Sequence, residues 1–327
     1  MSLHTSPAER TVIVLAVTAF TVILLALAFG KSVQHAAADD ASVTGSSMRS
    51  FQNDADLGLI KETVGSLRDI HTGSMETEIP VAAKPLLTTL KHQLRDLIAN
   101  RLRCQKRRVS TQKLQARAIV DLSDIGLIVD EEGSFYDPNE FEKGYDYGDI
   151  CSITVTRPRF DFDVIAVTTT VGICCGEDTS LYLFRYESEE WKLWLADEKS
   201  DYDSIIDGRN FFRFGLSWPD QNKDYFVVTA SVNPWCTSNW QSITYRVLRS
   251  GPEAYEPRVL LNRSQTIYLG EDPPYRLEVD DSAFMLKFRG HKYEDSIIRP
   301  KEGDAADESL KELVRCRVEG DAVIIEK

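Results

Sequence analysis

The sequence predicts a mainly β protein, a propeller-like meander or a sandwich, preceded by a membrane helix and a basic amphipathic helix. Three observations carry this expectation. Residues 11–29 form a run of nineteen without a charge. Residues 84–117 hold ten basic side chains and one acid, with leucines recurring at helical spacing. From residue 118 onward the pattern turns to short runs rich in Val, Ile, Thr, Tyr, Phe and Trp, each bounded by turn residues, as pleated half-buried surfaces prefer.

The first segment, residues 1–30, is expected to meet a membrane. As a helix the 11–29 run is about 28 Å long, close to the thickness of a bilayer's hydrocarbon core. A cleaved secretory signal has a shorter core, about 7–15 residues, so the length favours an uncleaved anchor. The alternative is cleavage near Ala38, where Ala36, Ala37 and Ala38 supply small residues. Arg10 and Lys31 flank the run and orient it only weakly.

Residues 31–53 are small and polar and read as a flexible linker. Residues 54–117 read as a helical region. Leu57, Ile60, Val64 and Leu67 recur at helical spacing in its first part, although Gly58 and Gly65 weaken that helix. The clearest helix begins near Ala83, with Pro85 in its first turn. Leu86, Leu87, Leu90, Leu94, Leu97, Ile98 and Leu102 share one of its faces. Lys91, His92, Arg95 and Arg101 take the others. Such a helix packs its stripe on its own domain, or lies on an anionic membrane surface.

Residues 118–327 read as an all-β extracytoplasmic domain, with strands at 118–129, 149–156, 164–171, 180–186, 191–195, 211–217, 225–232, 242–248, 258–261, 275–279, 283–288, 313–318 and 322–325. Glu319, Gly320 and Asp321 mark a tight hairpin between the last two. Residues 164–196 and 211–261 share a grammar of strand, loop, strand, charged turn and strand, the way propeller blades look in sequence. The period is irregular, which keeps a sandwich or irregular barrel open.

All six cysteines, Cys104, Cys151, Cys174, Cys175, Cys236 and Cys316, follow the apolar run, which suits export to an oxidising compartment. The expected disulfide joins Cys236 to Cys174 or Cys175, since both sites lie in turn-like loops. A bridge there is worth about 2–4 kcal/mol. No Cys-x-x-Cys pair and no neighbouring histidine suggests zinc, so no metal or other cofactor is expected. The β region carries 23 basic and 41 acidic residues, and a surface so acidic repels nucleic acid.

No nucleophile elbow, phosphate loop or dinucleotide fingerprint is present. The acidic neighbours Glu177–Asp178 and Asp146–Asp149 read as solvated loops rather than calcium sites. The strongest binding candidates are Trp235, Asn239 and Trp240, in a loop that could stack on a sugar ring or hold a protein partner. The competing account has both indoles capping the core. The expected function is a membrane-tethered extracytoplasmic binding or scaffolding module with a protein or glycan ligand. The alternative is an exported glycan hydrolase working through paired carboxylates.

Overall fold

The computed structural model describes residues 47–70, 78–127, 147–158, 163–173, 176–220, 224–234, 238–269, 273–290 and 311–326, with the side chains of 47–55 and 311–312 left aside. The apolar run at 11–29, the acid Asp146, the thiols Cys174, Cys175 and Cys236, and the indole of Trp235 lie outside these residues. Among the described residues, no helix is long and apolar enough to cross a membrane. Asn53–Lys327 makes one compact unit and Met1–Gln52 a separate one, of which only 47–52 are described.

Among the described residues, three helices come first: α1 (Ser47–Arg68), α2 (Ala83–Arg103) and α3 (Thr111–Ser123). Twelve described strands follow, in three antiparallel sheets whose strands pair in chain order. Sheet A holds β1 (Ile150–Thr156), β2 (Val164–Ile173), β3 (Gly176–Glu187) and β4 (Glu190–Asp197). Sheet B holds β5 (Asn210–Leu216), β6 (Val227–Val232), β7 (Trp240–Arg249) and β8 (Arg258–Tyr268). Sheet C holds β9 (Tyr275–Val279), β10 (Ala283–Arg289), β11 (Lys311–Glu319) and β12 (Ala322–Glu326).

Three apolar interfaces stack these layers. Ile60, Val64 and Leu67 of α1 and Leu87, Leu90, Leu94 and Leu97 of α2 meet Ile165, Val167, Tyr182 and Phe184 on one face of sheet A. The opposite face of sheet A, with Val164, Ala166, Leu181 and Leu183, meets Val227 and Leu248 of sheet B. The far side of sheet B, with Val228, Ile243, Tyr245 and Val247, meets Phe284, Leu286, Val314 and Cys316 of sheet C. Alternation along β2 and β6 sends successive side chains to the two interfaces. Gly215 lets β5 approach β9, since a methyl group there would lie 2.3 Å from Val279 Cγ2.

Several expectations change in detail. The first half of the strand expected at 118–129, residues 118–123, belongs to α3, and 128–129 lie outside the described residues; the first turn of α3 is capped by Ser110, whose Oγ accepts from the Lys113 N–H at 3.3 Å. Leu114, Ala118 and Leu122 keep helical spacing beneath the β-branched pair Ile119–Val120. The helix therefore crosses the boundary expected at 117/118. At the other end α1 begins at Ser47, inside the stretch expected as linker. The α2 stripe packs on its own sheet, with Leu87, Leu90 and Leu94 fully buried. Glu177 and Asp178 lie within β3 rather than in a solvated loop, and Asp178 is fully buried. Asp149 accepts from Arg68 Nη2 at 2.7 Å. The closing hairpin is as read: Glu319 pairs with Ala322, and Gly320 makes the turn at φ +56°.

Candidate ligand-binding face

Strands β7 and β8 pair directly from Trp240↔Tyr268 through Ser242↔Thr266, Thr244↔Ser264 and Arg246↔Asn262. Each pair puts its two side chains on one face of sheet B, the face that also carries Leu248. Cover on this face falls away along β7. Leu248 is fully buried, Arg246, Thr244 and Ser242 are half-buried, and Trp240 is 40 % exposed. On β8, Asn262, Ser264 and Thr266 are exposed. The result is an open strip with aromatic rings at one end and hydroxyls behind them.

The aromatic end is ordered by its neighbours. The Trp240 and Tyr268 ring centres are 4.9 Å apart, tilted by 50°. The Arg289 guanidinium carbon lies 4.8 Å from the centre of the Tyr268 ring, within cation–π range. The turn before Trp240 is held by its own polar groups: the Leu269 N–H donates to the Asn239 carbonyl at 2.8 Å, and Gln241 Nε2 donates to the Ser238 carbonyl at 2.6 Å. The hydroxyls of Thr244 and Ser264 are 2.9 Å apart. Flat rings beside ordered hydroxyls suit a ligand with an apolar face and a polar rim, such as a pyranose ring.

Of the three expected binding residues, Trp240 lies on this strip. Asn239 flanks it and serves the turn through its carbonyl. Trp235 lies outside the described residues. Tyr268, Arg289 and the hydroxyl ladder were not anticipated, because β8 was expected to stop at 261. The signal was present as the alternation Asn262, Ser264, Thr266, Tyr268, facing Trp240, Ser242 and Thr244.

A second polar assembly joins the layers. Lys91 of α2 donates to Asp178 Oδ2 at 2.7 Å, to the Lys199 carbonyl and to the Tyr202 hydroxyl, and that hydroxyl also contacts Asp178. Arg209 pairs with Asp197 at 3.1 Å, and Arg246 pairs with Asp197 at 2.6 Å. Beside them, Arg95 pairs with Glu198 at 2.9 Å, and the Tyr182 hydroxyl lies 3.0 Å from that carboxylate. Burial lowers the Lys91 pKa, against the opposing pull of Asp178. Burial raises the Tyr202 hydroxyl well above its ordinary range, and the Asp178 charge adds to it. Lys91 and Asp178 are 1 % and 0 % exposed, so the pair locks helix to sheet rather than meeting a substrate.

A cavity of about 320 Å³ opens between β8 and the β11–β12 hairpin, floored by Tyr245 and walled by Arg263, Gln265, Val314, Ile325 and Glu326. Among the described residues, its one acidic lining residue is Glu326, and no tryptophan lines it. The thiols Cys104, Cys151 and Cys316 are free: Cys104 is exposed, and burial pushes Cys316 up to about 11.

Fold and site together define a class: a helix-covered stack of three β meanders bearing an open aromatic and hydroxyl face. No known protein family, curated protein or solved structure matches the chain.

Proposed function

We propose that this protein is a non-catalytic, membrane-tethered extracytoplasmic binding or scaffolding module that offers the Trp240–Tyr268 face of sheet B to a glycan or a protein. The observation that supports it is the exposed Trp240 paired with Tyr268 at the open end of a Ser/Thr ladder. A large indole left 40 % exposed on a strand forfeits burial, which a ligand stacked on it would recover. The three consecutive meanders are read as blades of an open, propeller-like stack.

Residues 11–29 are the proposed tether, with cleavage near Ala38 as the alternative that would release the domain. The proposed disulfide of Cys236 with Cys174 or Cys175 gains support from the described flanks of both turns. A methyl group placed on Gly176 would lie 2.5 Å from Pro234 Cβ, so the two chain segments run close together. Mass spectrometry without reduction should recover that crosslink, and finding all six thiols alkylated would reject both the bridge and the oxidising compartment.

The binding reading is tested on a glycan array with the full chain beside Trp240→Ala and Tyr268→Ala. Glycan retention that each variant reduces at least tenfold, with thermal stability kept, is the expected result; about 1.4 kcal/mol of lost stacking suffices for that factor. Retention unchanged in both variants would place the ligand elsewhere. Absence of any glycan ligand would leave the face to a protein partner, sought by crosslinking from position 240.

A further inference from the structure

We propose that the tip formed by the end of α2, the 104–110 loop and the first turns of α3 docks on an anionic phospholipid surface. It rests on the tethered reading above and adds an orientation to it.

Eight of the ten bases of residues 84–117 fall into two sets. Lys91, Arg95, Arg101 and Arg107 are paired with Asp178, Glu198, Asp121 and Asp163 of the same domain, at 2.7, 2.9, 2.6 and 2.6 Å. Arg103, Lys106, Lys113 and Arg117 stand exposed. Lys113, Arg117 and Val120 follow one another at i, i+4 and i+7 and share a face of α3, where Val120 is 54 % exposed. Asp124 is the next exposed charge along that face. Bases around an exposed apolar side chain are the pattern of a helix that meets lipid headgroups.

The tip is built rather than loose. Arg157 Nη2 donates to the carbonyls of Arg107 and Val109, both at 3.0 Å. The Gln105 N–H donates to the Leu102 carbonyl at 2.8 Å, and the Val109 N–H to the Lys106 carbonyl at 3.0 Å. Gln115 Oε1 accepts from the Val155 N–H at 3.0 Å, fixing α3 to sheet A. Its charge is also opposite to that of the rest of the domain. Residues 118–327 carry 18 more acids than bases, so an anionic surface repels that stretch as a whole while attracting the tip. A tethered domain needs no recruitment, and a few bases are enough to set its orientation.

Cys104 is a native reporter, exposed beside Arg103. The full chain is mixed with phosphatidylcholine vesicles with and without phosphatidylglycerol, and maleimide modification of each thiol is followed by peptide mass spectrometry. Flotation with the zwitterionic vesicles reports the tether alone. Slower Cys104 modification only when phosphatidylglycerol is present, reversed by high salt, is the expected result. The combined Arg103→Glu, Lys106→Glu, Lys113→Glu and Arg117→Glu variant should lose at least tenfold of that protection, since each base near such a surface contributes about fivefold. Equal rates on both vesicles, or protection by an oligonucleotide in place of phosphatidylglycerol, would overturn the proposal. Failure to float on phosphatidylcholine combined with salt-sensitive Cys104 protection on phosphatidylglycerol would remove the tether and keep the tip.

Discussion

Sheets A and C have the same number of strands in the same consecutive order, yet their strands are written in different alphabets. Sheet A is covered on both sides, by helices and by sheet B, and every residue of β2 except Thr168 is buried. Among the described residues, sheet C is covered on one side only, and β10 alternates between buried Phe284, Leu286, Phe288 and the more exposed Ala283, Met285, Lys287, Arg289. A strand buried on two faces reads as a continuous apolar run, and a strand buried on one reads as alternation. The place of a meander in the stack, more than its topology, decides its residues. Stability should therefore concentrate in sheet A, while the rims of sheets B and C are free to carry ligand contacts.

The largest expected difference lies in the ion pairs. Lys91→Ala strips the buried Asp178 of its close cation and should cost about 3–5 kcal/mol. Lys287→Ala removes a pair with Glu278 at 3.6 Å whose members are 45 % and 58 % exposed, and should cost about 0–1 kcal/mol. Urea unfolding of both variants measures the contrast. Equal costs would mean that sheet A is no more the stability centre than sheet C.

A smaller contrast comes from leucines. Leu183 is fully buried between sheets A and B, and its replacement by Ala should cost about 2–5 kcal/mol. Leu313 is 44 % exposed on the outer side of β11, and its replacement should stay within about 0.5 kcal/mol. Matching shifts in urea midpoint at the two positions would mean that the outer side of sheet C is covered in solution.

The same contrast explains what the sequence disclosed. Strands bounded by turn residues were legible in all three sheets, because the period of two and the β-branched enrichment survive whether one face is buried or both. The helix α3 was hidden because Ile119 and Val120 imitate a strand, while its real marks were the Ser110 cap and the Leu114, Ala118, Leu122 spacing. Of the candidate strip, Trp240 was legible as a large aromatic in a polar turn. Tyr268 and Arg289 were not, since their meeting depends on strand register and on the approach of β10 to β8 at the Ile267–Gly290 bridge. The Lys91–Asp178 lock was equally hidden: its members are 87 residues apart, and an acidic pair after two cysteines looks like a loop.

The smallest effect is expected from Glu177, within sheet A. Burial raises its pKa above the ordinary 4.5. A carboxyl whose folded pKa is raised favours folding most when it is protonated in both states, below the unfolded value. That contribution is lost as pH rises through the folded pKa, where the partly buried group must ionise. Glu177→Gln keeps the shape and removes the ionisation, so the variant should be more stable than the native chain near neutral pH and equal to it below pH 4.5. The same change at Glu278 on sheet C, 58 % exposed, should alter stability little at any pH. Urea midpoints across this range test both. A Glu177→Gln advantage that persists unchanged in acid would assign the effect to packing instead of charge.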